Sequence, residues 1–441
     1  MEYDLTTGSI TKNLFLFALP LMLGNLLQQF YNIADTFIVG RFLGSHALAA
    51  VGSSYTLMIF LTSILLGLCM GSSAYFSIQF GKKDLEKLKI SFFLSFVFIG
   101  LVTLFLNLFV FLNLDFIIRI LQTPSELAAL MKEYLFFIFM GIGATFLYNY
   151  FANLLRAIGN SVIPLIFLAV SALLNIILDL TFVLLLHWGV KGAAIATVFS
   201  QYISAIGLML YFYKNFPQLH PQRRHMQWNF PILKQIMKLS FLTCMQQSIM
   251  NLGILMVQGL VNSFGTTVMA AFAAAVKIDS FAYMPVQDFG NAFSTFIAQN
   301  YGANKTDRIR QGMKNAFCAS FFFCLIISFL VFLFARPLLM IFIRAAQTDI
   351  LAIGVSYLRI EGSFYFGIGF LFLFYGYYRA VNHPEVSVIL TVISLGTRVI
   401  LAYALSAIPT IGTIGIWASV PIGWILADIT GAAFLKKYRL A

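Results

Sequence analysis

Twelve runs of apolar residues dominate this chain, at roughly 14–36, 47–78, 91–113, 134–154, 163–187, 192–213, 235–262, 268–300, 315–335, 352–378, 386–406 and 411–434. Each is long enough to cross a bilayer as a helix, because about 20 apolar residues span about 30 Å of hydrocarbon. The connections between them leave little chain for a soluble domain. Composition agrees: 60% of the 441 residues are hydrophobic and 10% are charged, where a soluble domain carries about 25% charge. That balance excludes a soluble globular enzyme, a disordered protein and a nucleic-acid binder. The first run lacks a short apolar core followed by a small-residue cleavage site, so it reads as a retained helix and not a signal peptide. All four cysteines (Cys69, Cys244, Cys318, Cys324) fall inside apolar runs without CxxC spacing. They read as small apolar side chains, not as a disulfide framework or a zinc site.

The net charge of +12 is a topology signal in such a chain, because Lys and Arg accumulate on cytoplasmic loops. With the N-terminus in the cytoplasm, nineteen Lys and Arg fall on cytoplasmic stretches, from Lys12 through Lys82, Lys83, Arg223 and Arg224 to Lys436, Lys437 and Arg439. Six fall on the opposite loops (Arg41, Arg119, Lys132, Lys191, Arg336, Arg344). The bias predicts a multi-pass protein of the inner (plasma) membrane with both termini cytoplasmic.

The two halves of the sequence repeat. Gly44, Ala49, Ala50 and Gly81 match Gly265, Ala270, Ala271 and Gly302 at a spacing of 221 residues. At a spacing of 223, Tyr134-Leu135 match Tyr357-Leu358, Arg156-Ala157 match Arg379-Ala380, and Gly189 and Gly192 match Gly412 and Gly415. Six helices per repeat is an even number, so both halves enter from the same side and the repeats are parallel. The fold class expected is therefore an all-α membrane protein of twelve transmembrane helices in two six-helix lobes around a central cavity, a transporter architecture. The lobes are residues 1–213 and 234–441. The Pro-rich, polar stretch 214–233 between them reads as a cytoplasmic linker.

A repeat is its own control, since polar residues confined to one half are not demanded by the scaffold. Asp35 aligns with Met256, Asn175 with Arg398, Asp179 with Ala402, Thr197 with Val420, and Asn149 and Asn153 with Phe372 and Gly376. Asn25, Gln28, Asn32 and Asp35 share one helical face, as do Asn149 with Asn153 and Asn175 with Asp179. Three helices thus aim polar stripes into the first lobe. A carboxylate at bilayer depth is costly and marks an ion or proton path. Two of them close together in low dielectric leave one poised to carry a proton, and the same oxygens suit a hard cation such as Na⁺. Pro20 sits inside the first helix and permits a bend. In the second half Glu361 lies one turn after Tyr357 and has no counterpart in the first; it reads either as a coupling or substrate group or as a partner for Arg359 or Arg398. Asp279 and Asp288 flank Pro285, with Lys277 nearby as a candidate ion-pair partner. The 48 Phe, 19 Tyr and 16 Met suit a cavity for flat lipophilic cations as well as a lipid-facing surface. The chain carries no Walker motif, no Ser/His/Asp grouping and no metalloprotease motif, so it reads as neither an ATPase nor an enzyme of another kind.

These residues resemble the multidrug and toxic compound extrusion (MATE) transporters over essentially the whole chain. NIADTFIVGRFLG at 32–44 is similar to that family's first-helix motif. GSSAYFSIQFGKKD (71–84) and NAFSTFIAQNYGANKTD (291–307) are similar to its repeated small-residue and Ser/Gln-Gly motif, and LLRAIGNSVIP (154–164) with YYRAVNHPEV (377–386) to its RA-x-G loop. The resemblance implies secondary active export of lipophilic, often cationic drugs against an inward H⁺ or Na⁺ gradient, with no cofactor beyond the coupling ion. In the DinF-like branch the implied cation site falls on Asp35, Asn175, Asp179 and Thr197. The resemblance also implies substrate-cavity positions at Gln28, Tyr134 and Asn149 and a bending proline at Pro20, and the helical spacing adds Asn32 and Asn153 as expected cavity residues. The NorM-like branch's second-lobe site would use Tyr357 and Glu361, but the seventh run (235–262) carries no acid to complete it. Expected partners are the bilayer and small lipophilic cations, not nucleic acid, and with no clear small-residue dimer face the chain is read as a monomer. The alternative is a flippase for lipid-linked oligosaccharides or related polyprenyl diphosphates, which needs a basic cavity; Arg398, Arg359 and Lys277 are the residues available to it.

Overall fold

The computed structural model describes residues 4–120 and 125–437; Arg439, counted in the topology bias, lies outside them. The regular structure of the described residues is helical: α1 (Ile10–Phe42), α2 (Gly44–Gly81), α3 (Leu85–Leu112), α4 (Leu114–Ile120), α5 (Ser125–Met140), α6 (Ile142–Ala157), α7 (Val162–Asp179), α8 (Gly189–Asn215), α9 (Phe230–Asn262), α10 (Thr266–Gly302), α11 (Thr306–Leu339), α12 (Thr348–Gly362), α13 (Tyr365–Ala380), α14 (Pro384–Ser406) and α15 (Thr413–Lys437). A π-helical turn, Leu180–Leu185, continues α7. Among the described residues, ten helices are long and apolar enough to span a membrane unaided. Two further spans are bent pairs, α5 with α6 at 42° and α12 with α13 at 50°, which brings the count to the expected twelve.

The two bends correct the reading of 134–154 and 352–378 as continuous helices. They fall at equivalent points of the repeat, around Gly141 and Phe364. A break inside a bilayer requires its freed backbone groups to find partners. At the first, the Met140 carbonyl accepts a hydrogen bond from the Tyr202 hydroxyl of α8 at 2.9 Å. Gly141 lets α8 in, since a Cβ there would lie 2.7 Å from Val198 Cγ2. At the second, Phe364 N–H donates to the Glu361 carbonyl at 3.0 Å and Gly367 N–H to the Phe364 carbonyl at 2.8 Å.

The repeat is also visible in the backbone. Gly44 and Gly265, Gly189 and Gly412, Lys83 and Asn304, and Gly159 and Asn382 are matched pairs, and all eight have positive φ. Seven of these eight sites are filled by Gly or Asn, the residues that take this region at least cost. Of the glycines shared by the two repeats, Gly44 with Gly265 and Gly189 with Gly412 therefore mark shared turns.

The chain forms two compact units. One comprises Met1–Asp4 and Leu19–Cys244, the other Leu5–Ala18 and Met245–Ala441. The first helix of each repeat is thus divided between them. Within the first unit, the start of α9 lies directly on α2. The hydroxyls of Ser72 and Ser240 meet at 2.9 Å, and Ser240 Oγ donates to the Leu68 carbonyl at 3.0 Å. Gly67 and Gly71 make this approach possible: Cβ atoms there would lie 2.6 Å from Cys244 Cα and 2.4 Å from Ser240 Cα. An interlocked aromatic core of Phe76, Phe92, Tyr150, Phe151 and Phe212 packs behind them. The linker is tied to the same unit by His225, which is buried and paired with Glu86 at 2.9 Å. Within the second unit, Phe15 of α1 packs on Phe289 of α10, and Lys305 and Arg308 hold the carbonyls of Thr6 and Gly8 at 2.7 and 2.8 Å.

Candidate functional site

The first unit gathers polar side chains from five helices. Asn175 and Asp179 lie four residues apart on α7 and are fully buried. Asp179 is the last residue before the π-helical turn, a local widening of the helix that often accompanies functional sites. Thr197 of α8 is buried opposite them. The Asn175 amide is satisfied in the orientation in which its nitrogen donates to Asp179 Oδ2 at 3.0 Å. Its oxygen then accepts from the Thr197 hydroxyl at 3.2 Å and the Thr197 N–H at 3.3 Å. Asp35, half-buried on α1, brings its carboxylate into hydrogen-bonding contact with that of Asp179. Tyr31, one turn before Asp35, meets the Thr197 hydroxyl, and Tyr134 of α5 and Tyr55 of α2 stand beside the same group.

The chemistry of this cluster is constrained. Two carboxylates in contact at low dielectric repel unless a proton or a cation lies between them. Asp35 Oδ1 and Asp179 Oδ1 are both buried and have no hydrogen-bond partner. Each therefore keeps lone pairs for an incoming cation. The surrounding donors are hydroxyl and amide oxygens, hard ligands that fit H⁺ or Na⁺ and not a soft transition metal.

The structure thus brings Asp35, Asn175, Asp179, Thr197 and Tyr134 together. It does not bring in every polar residue that the sequence placed on the same faces. Asn149 and Asn153 donate to the Thr145 and Asn149 carbonyls of their own helix, both at 2.8 Å. Gln28 is exposed, and Asn32 uses its carbonyl to accept from the Thr36 hydroxyl at 2.7 Å. Pro20 lies two residues past Ala18, where α1 passes from one unit to the other. Tyr31 and Tyr55 were not singled out by the sequence. The i, i+4 spacing of Tyr31 and Asp35 was the available signal, but nineteen tyrosines dilute it.

The second unit holds a separate carboxylate cluster. Tyr357 and Glu361 of α12 are buried and in hydrogen-bonding contact, and Asp279 of α10 joins them through Tyr357 and the Tyr365 hydroxyl. Arg398 of α14 stands near both acids. The second acid of this cluster comes from α10 and not from the seventh run. Lys277 does not pair with Asp279; it lies over the Phe342 ring at 5.7 Å, and Arg359 lies over Phe332 at 5.1 Å.

Comparison with known proteins bears on the family and the fold. The sequence matches the MatE family over residues 20–181 and 240–404. It is 31% identical to the probable multidrug resistance protein YpnP of Bacillus subtilis, covering 98% of this chain and 96% of that one. It is 26% identical to the multidrug export protein MepA of Staphylococcus aureus, covering 99% and 96%. Among solved structures, an outward-facing multidrug resistance MATE family transporter of the MOP superfamily superimposes with a TM-score of 0.92 at 23% identity, over 99% of this chain and 97% of that one.

Proposed function

The chain belongs to the MatE family, whose members are transporters and not enzymes, and we propose that it is a secondary active multidrug exporter driven by an inward H⁺ or Na⁺ gradient. The observation that carries this reading is the contact between Asp35 and Asp179, each with an unpartnered buried oxygen. A monovalent cation entering from outside binds that pair, with Asn175 and Thr197 fixing Asp179. Asp35 belongs to α1, so its capture pulls on a helix that Pro20 allows to bend. The first-lobe substrate cavity expected at Gln28, Asn32, Tyr134, Asn149 and Asn153 then changes shape and releases a lipophilic, often cationic compound outward. The ion leaves to the cytoplasm, where both termini lie by the positive-inside bias. The names of the relatives, multidrug resistance and multidrug export proteins, support the substrate class.

The flippase alternative needs a basic cavity. Arg398 faces two acids, while Lys277 and Arg359 cover aromatic rings. These placements favour export of cations over transport of a diphosphate.

The test is uptake of ethidium into everted vesicles reconstituted with the purified protein, under an imposed pH gradient and separately under a Na⁺ gradient. One gradient drives uptake in the wild type, and Asp35→Asn and Asp179→Asn reduce it to the level of empty vesicles. Wild-type uptake by either variant, at equal expression and folding, defeats the proposal.

A further inference from the structure

The linker ends, just before α9, in a segment that the ion site and the drug cavity do not use. Its last turn is fixed to α3. His225 is buried; its Nδ1 accepts from the Gln222 N–H at 2.9 Å and its Nε2 meets Glu86 Oε2 at 2.9 Å. Arg224 Nη2 donates to the other Glu86 oxygen at 3.1 Å. Four residues after His225, Asn229 starts α9: its Oδ1 accepts from the Ile232 N–H at 3.2 Å and its carbonyl from the Leu233 N–H at 2.9 Å. The stretch between is therefore held at both ends. Even so, its large apolar side chains are turned out of the protein: Met226 is 52% exposed, Trp228 70% and Phe230 72%.

Along α9, Phe230, Lys234, Met237 and Phe241 are spaced i, i+4, i+7 and i+11 and so share one face, and all four are exposed. The helix is long and apolar enough to span a membrane, so a face that exposes Met237 and Phe241 is a lipid-facing one. Lys234 and Lys238 rise beside it. On such a surface a long basic side chain lays its stem along the apolar face and puts its charge among the headgroups. Arg223 belongs to the pinned turn. Both Arg223 and Lys234 are exposed and neither pairs with a carboxylate among the described residues. Tryptophan beside such charges suits the membrane–water interface, where its ring is apolar and its N–H is wet. The repeat shows that the scaffold does not require this segment. Met226, Trp228, Phe230 and Lys234 align with Leu5, Thr7, Ser9 and Asn13. That first-half segment is tied to protein: Leu5 is buried, its carbonyl accepts from Asn300 Nδ2 at 3.1 Å, and the Thr7 carbonyl accepts from Arg308 Nη2 at 3.1 Å. The aromatic and basic counterpart before α9 has no such cover.

We propose that the start of α9 binds the headgroup of an anionic phospholipid of the cytoplasmic leaflet, with Arg223 and Lys234 supplying the positive charge and Trp228 and Phe230 seated at the interface. One end of the linker is thereby fastened to the bilayer, and the anionic lipid content of the membrane sets how firmly. The assignment rests on the membrane placement and its positive-inside orientation, not on the export reading, and its test needs neither drug nor gradient. The full chain is reconstituted into phosphatidylcholine bilayers containing either phosphatidylglycerol or phosphatidylcholine brominated near the headgroup. The difference in fluorescence quenching between the wild type and Trp228→Phe isolates Trp228. Each basic residue near an anionic surface favours the anionic lipid about fivefold, so brominated phosphatidylglycerol binds beside Trp228 at least about tenfold more tightly than brominated phosphatidylcholine. Arg223→Gln with Lys234→Gln brings that ratio to within about twofold of one. Equal quenching of the wild type by the two lipids overturns the proposal, and so does no quenching by either, which would place the segment in water or on a protein partner. Inorganic phosphate at matched ionic strength leaves the ratio unchanged; its loss would make this a site for a soluble anion and not for a lipid. Should the charge variants fail to fold, the wild type decides: raising NaCl from about 0.1 M to about 1 M shortens the Debye length from about 10 Å to about 3 Å and brings the ratio towards one, and a ratio that ignores salt overturns the site.

Discussion

Two carboxylates that touch inside a helical bundle hold that geometry only with a positive charge between them, so the groups that aim them set how well a cation binds. Thr197 is such a group: its hydroxyl is shared between Asn175, which holds Asp179, and Tyr31, one turn from Asp35. Thr197→Val keeps the volume and removes both bonds. A buried hydrogen bond is worth about 1 kcal/mol, so losing two raises the concentration of coupling ion giving half-maximal drug uptake about thirtyfold. An unchanged half-maximal concentration would show that Thr197 takes no part. The four residues Asp35, Asn175, Asp179 and Thr197 were legible in the sequence because the second half offers Met256, Arg398, Ala402 and Val420 in their places. Their tyrosine neighbours were not, since aromatic residues are also what lipid-facing helices carry. Nor was the closure of Asp279 onto Tyr365, 86 residues away, because helical periodicity fixes which residues share a face but not which helices meet.

At the scale of helices, apolar length predicted the spans but not the bends. The runs through Gly141 and Phe364 contain no proline, and at Gly141 the bend follows from tertiary partners, Tyr202 and Val198. Close approach is likewise written in glycine but readable only once the partner is known. In α2, a Cβ on Gly71 would meet the backbone of α9 at 2.4 Å, while one on Gly52 would meet nothing within 4 Å. Backbone cannot swing aside as a side-chain tip can. Gly71→Ala therefore forces the helices apart, and overpacking of this kind costs about 1–3 kcal/mol. Gly52→Ala instead gains helix propensity of about 0.5–1 kcal/mol. Melting temperatures of the purified variants should move in opposite directions; a fall for both would mean that loss of glycine flexibility, and not contact with α9, matters in α2.

At the scale of the whole molecule, the division of α1 between the two units is the feature with the largest consequence. Residues up to Ala18 belong to the second unit and those from Leu19 onward to the first, and Pro20 sits at that junction. Proline has no N–H, so the Leu16 carbonyl one turn earlier lacks its helical partner, and the ring crowds it. The helix is softest where it passes between units. Asp35 lies fifteen residues further on, about 22 Å along the axis at 1.5 Å per residue, so a change at Pro20 leaves the carboxylate cluster untouched. Pro20→Ala restores the missing hydrogen bond and stiffens the junction. The expected outcome is a melting temperature equal to or above that of the wild type, coupling-ion binding within twofold of it, and drug uptake at least tenfold slower. That combination separates bending from binding, because an ion site damaged by the substitution would lose affinity along with transport. If Pro20→Ala exports at the wild-type rate with its ion affinity intact, α1 carries the ion's signal as a rigid rod, and the reshaping of the cavity must begin at the π-helical turn after Asp179.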